Sequence, residues 1–214
     1  MKKHTIKSIA TPVIALALCA VLYLSGYFQI VFATVIVLLA SWVEYKKGTF
    51  KSLGFRRSNL KAFQLLVVAP LVAGAMFLLY WFVLIPVVTQ LTGKPMDFSQ
   101  LEVYKGDLKA ILVLVPLVWI SAAFGEEILF RGYLMRQFSR FFGNDKVSIV
   151  LNILILGVAF GWLHEYQGVS GQIVTGILGV ILATIFHLRK DNLWFNVAVH
   201  GFFDTIALGL LYFS

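Results

Sequence analysis

Long apolar runs alternate with short polar links along the whole chain. They predict membrane-spanning helices at about 8–26, 27–43, 62–90, 108–135, 147–164, 169–187 and 192–213. Each run approaches or exceeds the roughly 20 residues that a helix needs to cross a bilayer. The fourth run continues as a helix to about Phe142. The pattern therefore predicts an all-α fold, a polytopic transmembrane helix bundle with about seven spans, forming a single integral membrane domain over residues 1–214.

Composition supports this class. Of the 214 residues, 60% are hydrophobic and only 13% are charged, whereas a soluble domain has about a quarter of its residues charged. The first apolar run is similar to a secretory signal peptide, but no small-residue cleavage site follows it, so we expect an uncleaved first span. The single cysteine, Cys19, excludes an internal disulfide.

The positions of the basic residues predict the orientation. Fourteen of the eighteen lie before the first span or in alternate links, three lie on the opposite side, and Arg131 falls within a span. Links rich in lysine and arginine stay in the cytoplasm, so we expect a cytoplasmic N-terminus and an outer C-terminus. This distribution also explains the net charge of +8 without a nucleic-acid partner. The fourteen are Lys2, Lys3, Lys7, Lys46, Lys47, Lys51, Arg56, Arg57, Lys61, Arg136, Arg140, Lys146, Arg189 and Lys190.

A few ionisable residues nevertheless lie within the predicted spans. Each costs about 3 kcal/mol or more at the centre of a bilayer and normally faces a cavity or a partner. They are Glu126, Glu127, Arg131, His164, His200 and Asp204.

Helical spacing assigns these residues different roles. Glu127 and Arg131 are four residues apart, which favours an ion pair along one helix face. In an α-helix, Glu126 points about 100° away from Glu127. Arg131 can then neutralise Glu127 and leave Glu126 available for catalysis. The alternative is that both glutamates share Arg131. His200 and Asp204 are also four apart, and an adjacent acid can hold an imidazole in one tautomer.

Several catalytic signatures are absent from the sequence. HEYQG, at 164–168, lacks the second histidine of a zincin motif, and GxSxG does not occur. The polar residues within the spans do include a glutamate, two histidines and a further carboxylate, and this set suits acid–base activation of water. A metal site of histidine and carboxylate ligands is the alternative.

Three motifs are similar to those of the CAAX prenyl protease type 2 and bacteriocin-processing family, CPBP or Abi, whose members are glutamic-type intramembrane proteases. The family pattern EExxxR, FxxxH and HxxxN/D corresponds to EEILFR at 126–131, FGWLH at 160–164 and HGFFD at 200–204. The resemblance covers about residues 105–214 and implies a catalytic core there. Residues 1–104 would supply N-terminal spans.

The resemblance implies a mechanism. Glu126, aided by His164, would activate water, and His200 with Asp204 would stabilise the oxyanion. Glu127, Arg131 and Phe160 would support the site. Because an ionised Asp204 would repel an oxyanion, either burial keeps it protonated or it only orients His200; we favour the second interpretation.

The leading hypothesis is an intramembrane endopeptidase without a cofactor, acting on a membrane-associated protein or peptide in CAAX-type processing or in peptide maturation. Alternatives are a zinc-dependent version with Glu126, His164 and His200 as ligands, a non-enzymatic binding or immunity protein, and a proton-coupled transporter.

One difficulty concerns depth in the membrane. His164 comes late in its span and His200 comes early in its own, so straight helices would separate the two. Tilt, a shifted boundary, or a break near residues 122–125 would bring them together. Such a break would also raise the number of spans to eight.

Overall fold

The computed structural model describes residues 6–26, 29–56 and 61–213, and these form helices and turns without a strand. Lys2, Lys3 and Arg57, three of the basic residues that predict the orientation, lie outside the described residues. The all-helical fold predicted from the sequence is confirmed. The helices are α1 (Ile6–Leu24), α2 (Ile30–Tyr45), α3 (Thr49–Ser52), α4 (Gln64–Thr92), α5 (Ser99–Glu102), α6 (Leu108–Phe142), α7 (Lys146–Trp162), α8 (Gly168–Leu188) and α9 (Leu193–Phe213).

Four of these helices are long and apolar enough to cross a membrane: α4, α6, α9, and α8 together with the turn that starts at Glu165. The apolar helices Ile9–Leu24 and Lys146–Trp162 are shorter. Large apolar side chains cover the outer faces, and Leu24, Leu91 and Phe213 are each at least 80% exposed. A surface of this kind is suited to lipid. The fold is therefore an integral membrane helix bundle.

The fourth predicted span is one continuous helix, α6, of 35 residues. The break near residues 122–125 that would have given eight spans is therefore absent. Instead, Trp119–Leu134 is wound as a π-helix, with i→i+5 hydrogen bonds. A wider helix rotates less than 100° per residue, so Glu126 and Glu127 diverge less than α-helical spacing predicts. Wide turns of this type often occur at functional sites.

Helices α6 and α9 lie at the centre of the bundle. Helix α9 packs against α4 and α6, and α2 packs against the other side of α6. Helices α7 and α8 form an antiparallel pair beside them. The motif residues on α6, α7 and α9 therefore face one another across the core.

Glycines bring α7 and α8 into backbone contact. A Cβ atom at Gly161 would collide with the carbonyl oxygen of Gln172 and would come within 2.9 Å of Gly176 Cα. Small residues permit this close approach between membrane helices. The packing fixes the end of α7, and His164 follows that end by two residues.

Replacing Gly161 with alanine is expected to destabilise the protein by about 1–3 kcal/mol, the usual cost of overpacking. The measurement is thermal unfolding in detergent. Gly209→Ala is the matched control, because a Cβ atom there would meet no atom within 4 Å. Equal unfolding temperatures for the two variants would contradict the packing argument.

Candidate active site

Glu127 and Arg131 form a buried ion pair on α6. Arg131 Nη1 lies 2.9 Å from Glu127 Oε1, and the side chains are 2% and 0% exposed. Arg131 Nη2 donates a second hydrogen bond to the carbonyl oxygen of Gly179 on α8, at 2.7 Å. The arginine thus neutralises Glu127 and also connects α6 to α8.

Glu127 also contacts α9. Its Oε1 lies 3.1 Å from His200 Nδ1, and its Oε2 accepts a hydrogen bond from Asn196 Nδ2, at 3.1 Å. A carboxylate accepts hydrogen bonds, so Nδ1 of His200 carries a proton. Asn196 Nδ2 also lies 2.7 Å from the carbonyl oxygen of Leu182. Glu127 therefore fixes the orientation of His200 and keeps a proton on Nδ1.

Asn196 was not identified from the sequence, although a signal was present. It lies four residues before His200, which itself lies four before Asp204, so the three residues form a polar stripe on one face of α9. Asn196 is fully buried and contacts both α6 and α8.

The other ring nitrogen of His200 faces two carboxylates. His200 Nε2 lies 3.8 Å from Glu126 Oε2 and 3.5 Å from Asp204 Oδ2. Glu127 thus contacts the ring through Nδ1, while Asp204 flanks Nε2. The interpretation that Asp204 only orients His200 stays a prediction. The two carboxylate oxygens that face Nε2 are buried and have no hydrogen-bond partner among the described residues.

His164 lies just beyond the end of α7. Its Nδ1 is 2.8 Å from the carbonyl oxygen of Phe160. Because a carbonyl accepts, Nδ1 donates, and Nε2 of the neutral ring keeps its lone pair. His164 is thus prepared to accept a proton or a hydrogen bond at Nε2.

Phe160 lies among the charged and polar groups of the site. Its ring centroid is 4.8 Å from that of His164 and 6.3 Å from that of His200. Arg131 Cζ lies 4.8 Å from the same centroid. Both imidazoles therefore contact one phenyl ring, and the expected difference in depth between them does not arise.

The four residues predicted to be catalytic line a single cavity of about 400 Å³. They are Glu126, His164, His200 and Asp204. Apolar and aromatic side chains, including Met76, Tyr80 and Phe203, form much of the remaining wall. Glu127 and Arg131 lie behind this wall and do not line the cavity.

The cavity reaches the protein surface at the end of the bundle formed by the α4–α6 and α7–α8 links. Asp97, Gln100 and Tyr166 line it and are exposed. The main-chain N–H of Ser99 donates to Asp97 Oδ1 at 2.8 Å and lowers the pKa of Asp97 below its ordinary value. The mouth of the cavity therefore carries an ionised carboxylate.

A metal site was the alternative use of the same residues. Among the described residues, no group of three or more histidine, cysteine, aspartate or glutamate side chains is arranged to hold a metal ion. Glu126, His164 and His200 share a cavity without forming such a group.

Comparison with known proteins agrees with the motifs. Residues 108–206 match the family model described as type II CAAX prenyl endopeptidase Rce1-like. This range contains all of the motif residues that lie in or behind the cavity, namely Glu126, Glu127, Arg131, Phe160, His164, His200 and Asp204. The resemblance identified from the three motifs is therefore confirmed. No curated protein and no solved structure gave a significant match.

Proposed function

We propose that this chain, whose residues 108–206 match the Rce1-like type II CAAX prenyl endopeptidases, is an intramembrane endopeptidase. It hydrolyses a peptide bond of a membrane-associated protein or peptide, in CAAX-type processing or in peptide maturation. The observation that carries the proposal is the convergence of Glu126, His164, His200 and Asp204 on one cavity within a membrane bundle.

In the proposed mechanism, Glu126 and His164 activate water. Arg131 donates its hydrogen bonds to Glu127 and Gly179 rather than to Glu126, so the Glu126 carboxylate can accept a proton. The water oxygen attacks the carbonyl carbon of the scissile bond as that proton is transferred. The proton then passes to the amine nitrogen as the C–N bond breaks.

His200 stabilises the oxyanion in this proposal. Glu127 accepts the hydrogen bond from Nδ1–H, so donation to the substrate oxygen must come from a protonated Nε2, the nitrogen beside the cavity. A ring that donates from both nitrogens carries a positive charge, which suits an oxyanion. Pre-oriented donors of this kind often contribute the largest part of acyl-transfer catalysis.

Replacing Asp204 with asparagine is expected to retain activity within about tenfold, whereas Asp204→Ala loses more. An amide can donate a hydrogen bond to an oxyanion, and the orientation of His200 depends on Glu127. The measurement is kcat/KM for a cleaved substrate. Equal losses in the two variants would show that the negative charge of Asp204 is what matters.

The orientation of the helix bundle in the membrane is the second part of the proposal. The shorter helices α1, α2 and α7 also cross the membrane, giving seven spans. The ends of α2, α6 and α8, with their basic residues, converge at the end of the bundle opposite the cavity mouth. By the positive-inside rule this end is cytoplasmic, so substrates reach the site from the outer side.

This orientation predicts the labelling of single cysteines in a Cys19→Ala background. Gln100→Cys should react with a membrane-impermeant maleimide in intact cells, and Asn144→Cys should react only after permeabilisation. Both positions are exposed and lie at opposite ends of the bundle. The reverse pattern would refute the orientation without affecting the proposed chemistry.

The proposed activity is tested by comparing new protein N-termini in membranes from cells that express the wild type or Glu126→Gln at matched levels. Termini that require Glu126 would identify the substrates. A parallel wild-type sample with a chelator tests the zinc-dependent alternative, since loss of those termini would indicate a metal enzyme. If no terminus depends on Glu126 while both proteins are folded, a binding or immunity function would replace the protease.

A further inference from the structure

A second cavity, of about 750 Å³, lies at the basic end of the bundle. It is formed by the α2–α3 region, the end of α6, the start of α7, and the α8–α9 turn. None of its lining residues lines the cavity that holds Glu126. The two cavities are therefore separate sites.

The charge of this basic cavity is strongly positive. Four cationic side chains line it, Arg56, Arg136, Arg140 and Lys190, against one carboxylate, Asp191. Glu44 lies 3.0 Å from Arg140 and offsets that charge. The three positive charges of Arg56, Arg136 and Lys190 still outnumber the single negative charge of Asp191 in the lining.

Unlike Arg140, Arg56 and Arg136 are held in place by main-chain groups rather than by carboxylates. Arg136 Nη2 donates to the carbonyl oxygen of Asp191 at 3.3 Å, and Arg56 Nη1 donates to that of Lys190 at 3.5 Å. Arg136 Nε is buried and has no hydrogen-bond partner among the described residues. A carbonyl contact leaves the positive charge of a guanidinium unneutralised, so the site can bind an anion.

The turn that supplies these carbonyls has an unusual conformation. Lys190 and Asp191 both have a φ of 56°, in the left-handed region that non-glycine residues rarely occupy. Leu193 N donates to the carbonyl oxygen of Gly54 at 3.0 Å, which anchors the turn. Gly54 itself has a φ of 100°, and a Cβ atom there would approach Asp191 O to 2.7 Å. Strained backbone of this kind concentrates at ligand sites.

The same end of the bundle carries exposed apolar and aromatic side chains. Phe50, Phe142 and Leu188 are 66%, 67% and 72% exposed, and Lys46 Nζ lies 4.7 Å from the ring centroid of Trp42. Aromatic residues beside basic ones are typical of the membrane–water interface. The basic cavity therefore lies at the level of the lipid headgroups.

We infer that the basic cavity is a phosphate-binding site, occupied either by the headgroup of an anionic phospholipid or by a free phosphate. Arginine forks match the geometry of phosphate oxygens, and basic pockets between membrane helices bind anionic headgroups. The site does not depend on the proposed protease chemistry.

The test uses full-length protein in detergent and measures thermal unfolding. One series adds phosphatidylglycerol or phosphatidylcholine to the micelles, and the other adds sodium phosphate or sodium chloride at equal ionic strength. The variants are Arg136→Gln and Lys190→Gln. Lys190 is exposed, so its variant should fold even if Arg136→Gln does not. Lys105→Gln, exposed at the opposite end, is the control.

We expect one phosphate source to raise the unfolding temperature of the wild type and of Lys105→Gln. Its half-saturating concentration should rise by roughly tenfold in the two cavity variants, as for loss of a charge-assisted contact. An effect of phosphatidylglycerol alone identifies a lipid ligand, and an effect of phosphate identifies a free anion. No effect from either source, or equal effects in all variants, would overturn the inference.

Discussion

Replacing Glu126 with glutamine is expected to lower kcat/KM by about 10²- to 10⁴-fold, the usual contribution of general acid–base catalysis. The amide has nearly the shape of the carboxylate but cannot take a proton from water. The rate would be measured with a purified substrate identified from the N-termini that depend on Glu126. Because Glu126 Oε2 has no hydrogen-bond partner among the described residues, the variant should unfold no more readily than the wild type.

Glu102→Gln is the matched control for this variant. It removes an exposed carboxylate near the mouth of the cavity without changing the cavity lining. Its kcat/KM should stay within about twofold of the wild type, as for a surface charge. An active Glu126→Gln enzyme would contradict the assignment of Glu126 as the base.

Replacing Glu127 with alanine is expected to destabilise the protein by about 3–5 kcal/mol, because Arg131 is then left as an uncompensated buried charge. Glu127 is fully buried and contacts Arg131, Asn196 and His200. Thermal unfolding in detergent measures the loss. Glu102→Ala, which removes an exposed acid, should leave the unfolding temperature nearly unchanged.

A double variant separates the structural role of Glu127 from its role at His200. Glu127→Leu with Arg131→Met removes both charges, and apolar replacement of a buried ion pair is often neutral or stabilising. Its unfolding temperature should recover, while cleavage should stay impaired because His200 Nδ1 has lost its acceptor. Recovered cleavage would show that Glu127 serves the fold alone.

Contacts within one helix could be predicted from the sequence. The ion pair of Glu127 and Arg131 follows from the spacing of the two residues. It also forms in the wider π-helical segment of α6, because residues four apart still lie on neighbouring turns. The positions of the apolar helices follow from the lengths of the apolar runs. Neither prediction needs information from a distant part of the chain.

Contacts between helices could not be predicted in this way. Glu127 meets His200 across 73 positions of sequence, and periodicity within α6 or α9 does not specify which faces meet. The i,i+4 spacing of His200 and Asp204 predicts an orienting role for Asp204 but gives no sign of the contact between Glu127 and His200 Nδ1. The π-winding of Trp119–Leu134 has no simple sequence signal either, although it sets the directions of both glutamates.

The two histidines of the site differ in the group that accepts the hydrogen bond from Nδ1. His200 depends on the side chain of Glu127, so a single codon change can remove its acceptor. His164 depends on the main-chain carbonyl of Phe160, which every amino acid supplies. A point mutation at residue 160 therefore leaves the acceptor of His164 Nδ1 in place. A point mutation at residue 127 removes the acceptor of His200 Nδ1, so the orientation of His200 requires that Glu127 be retained.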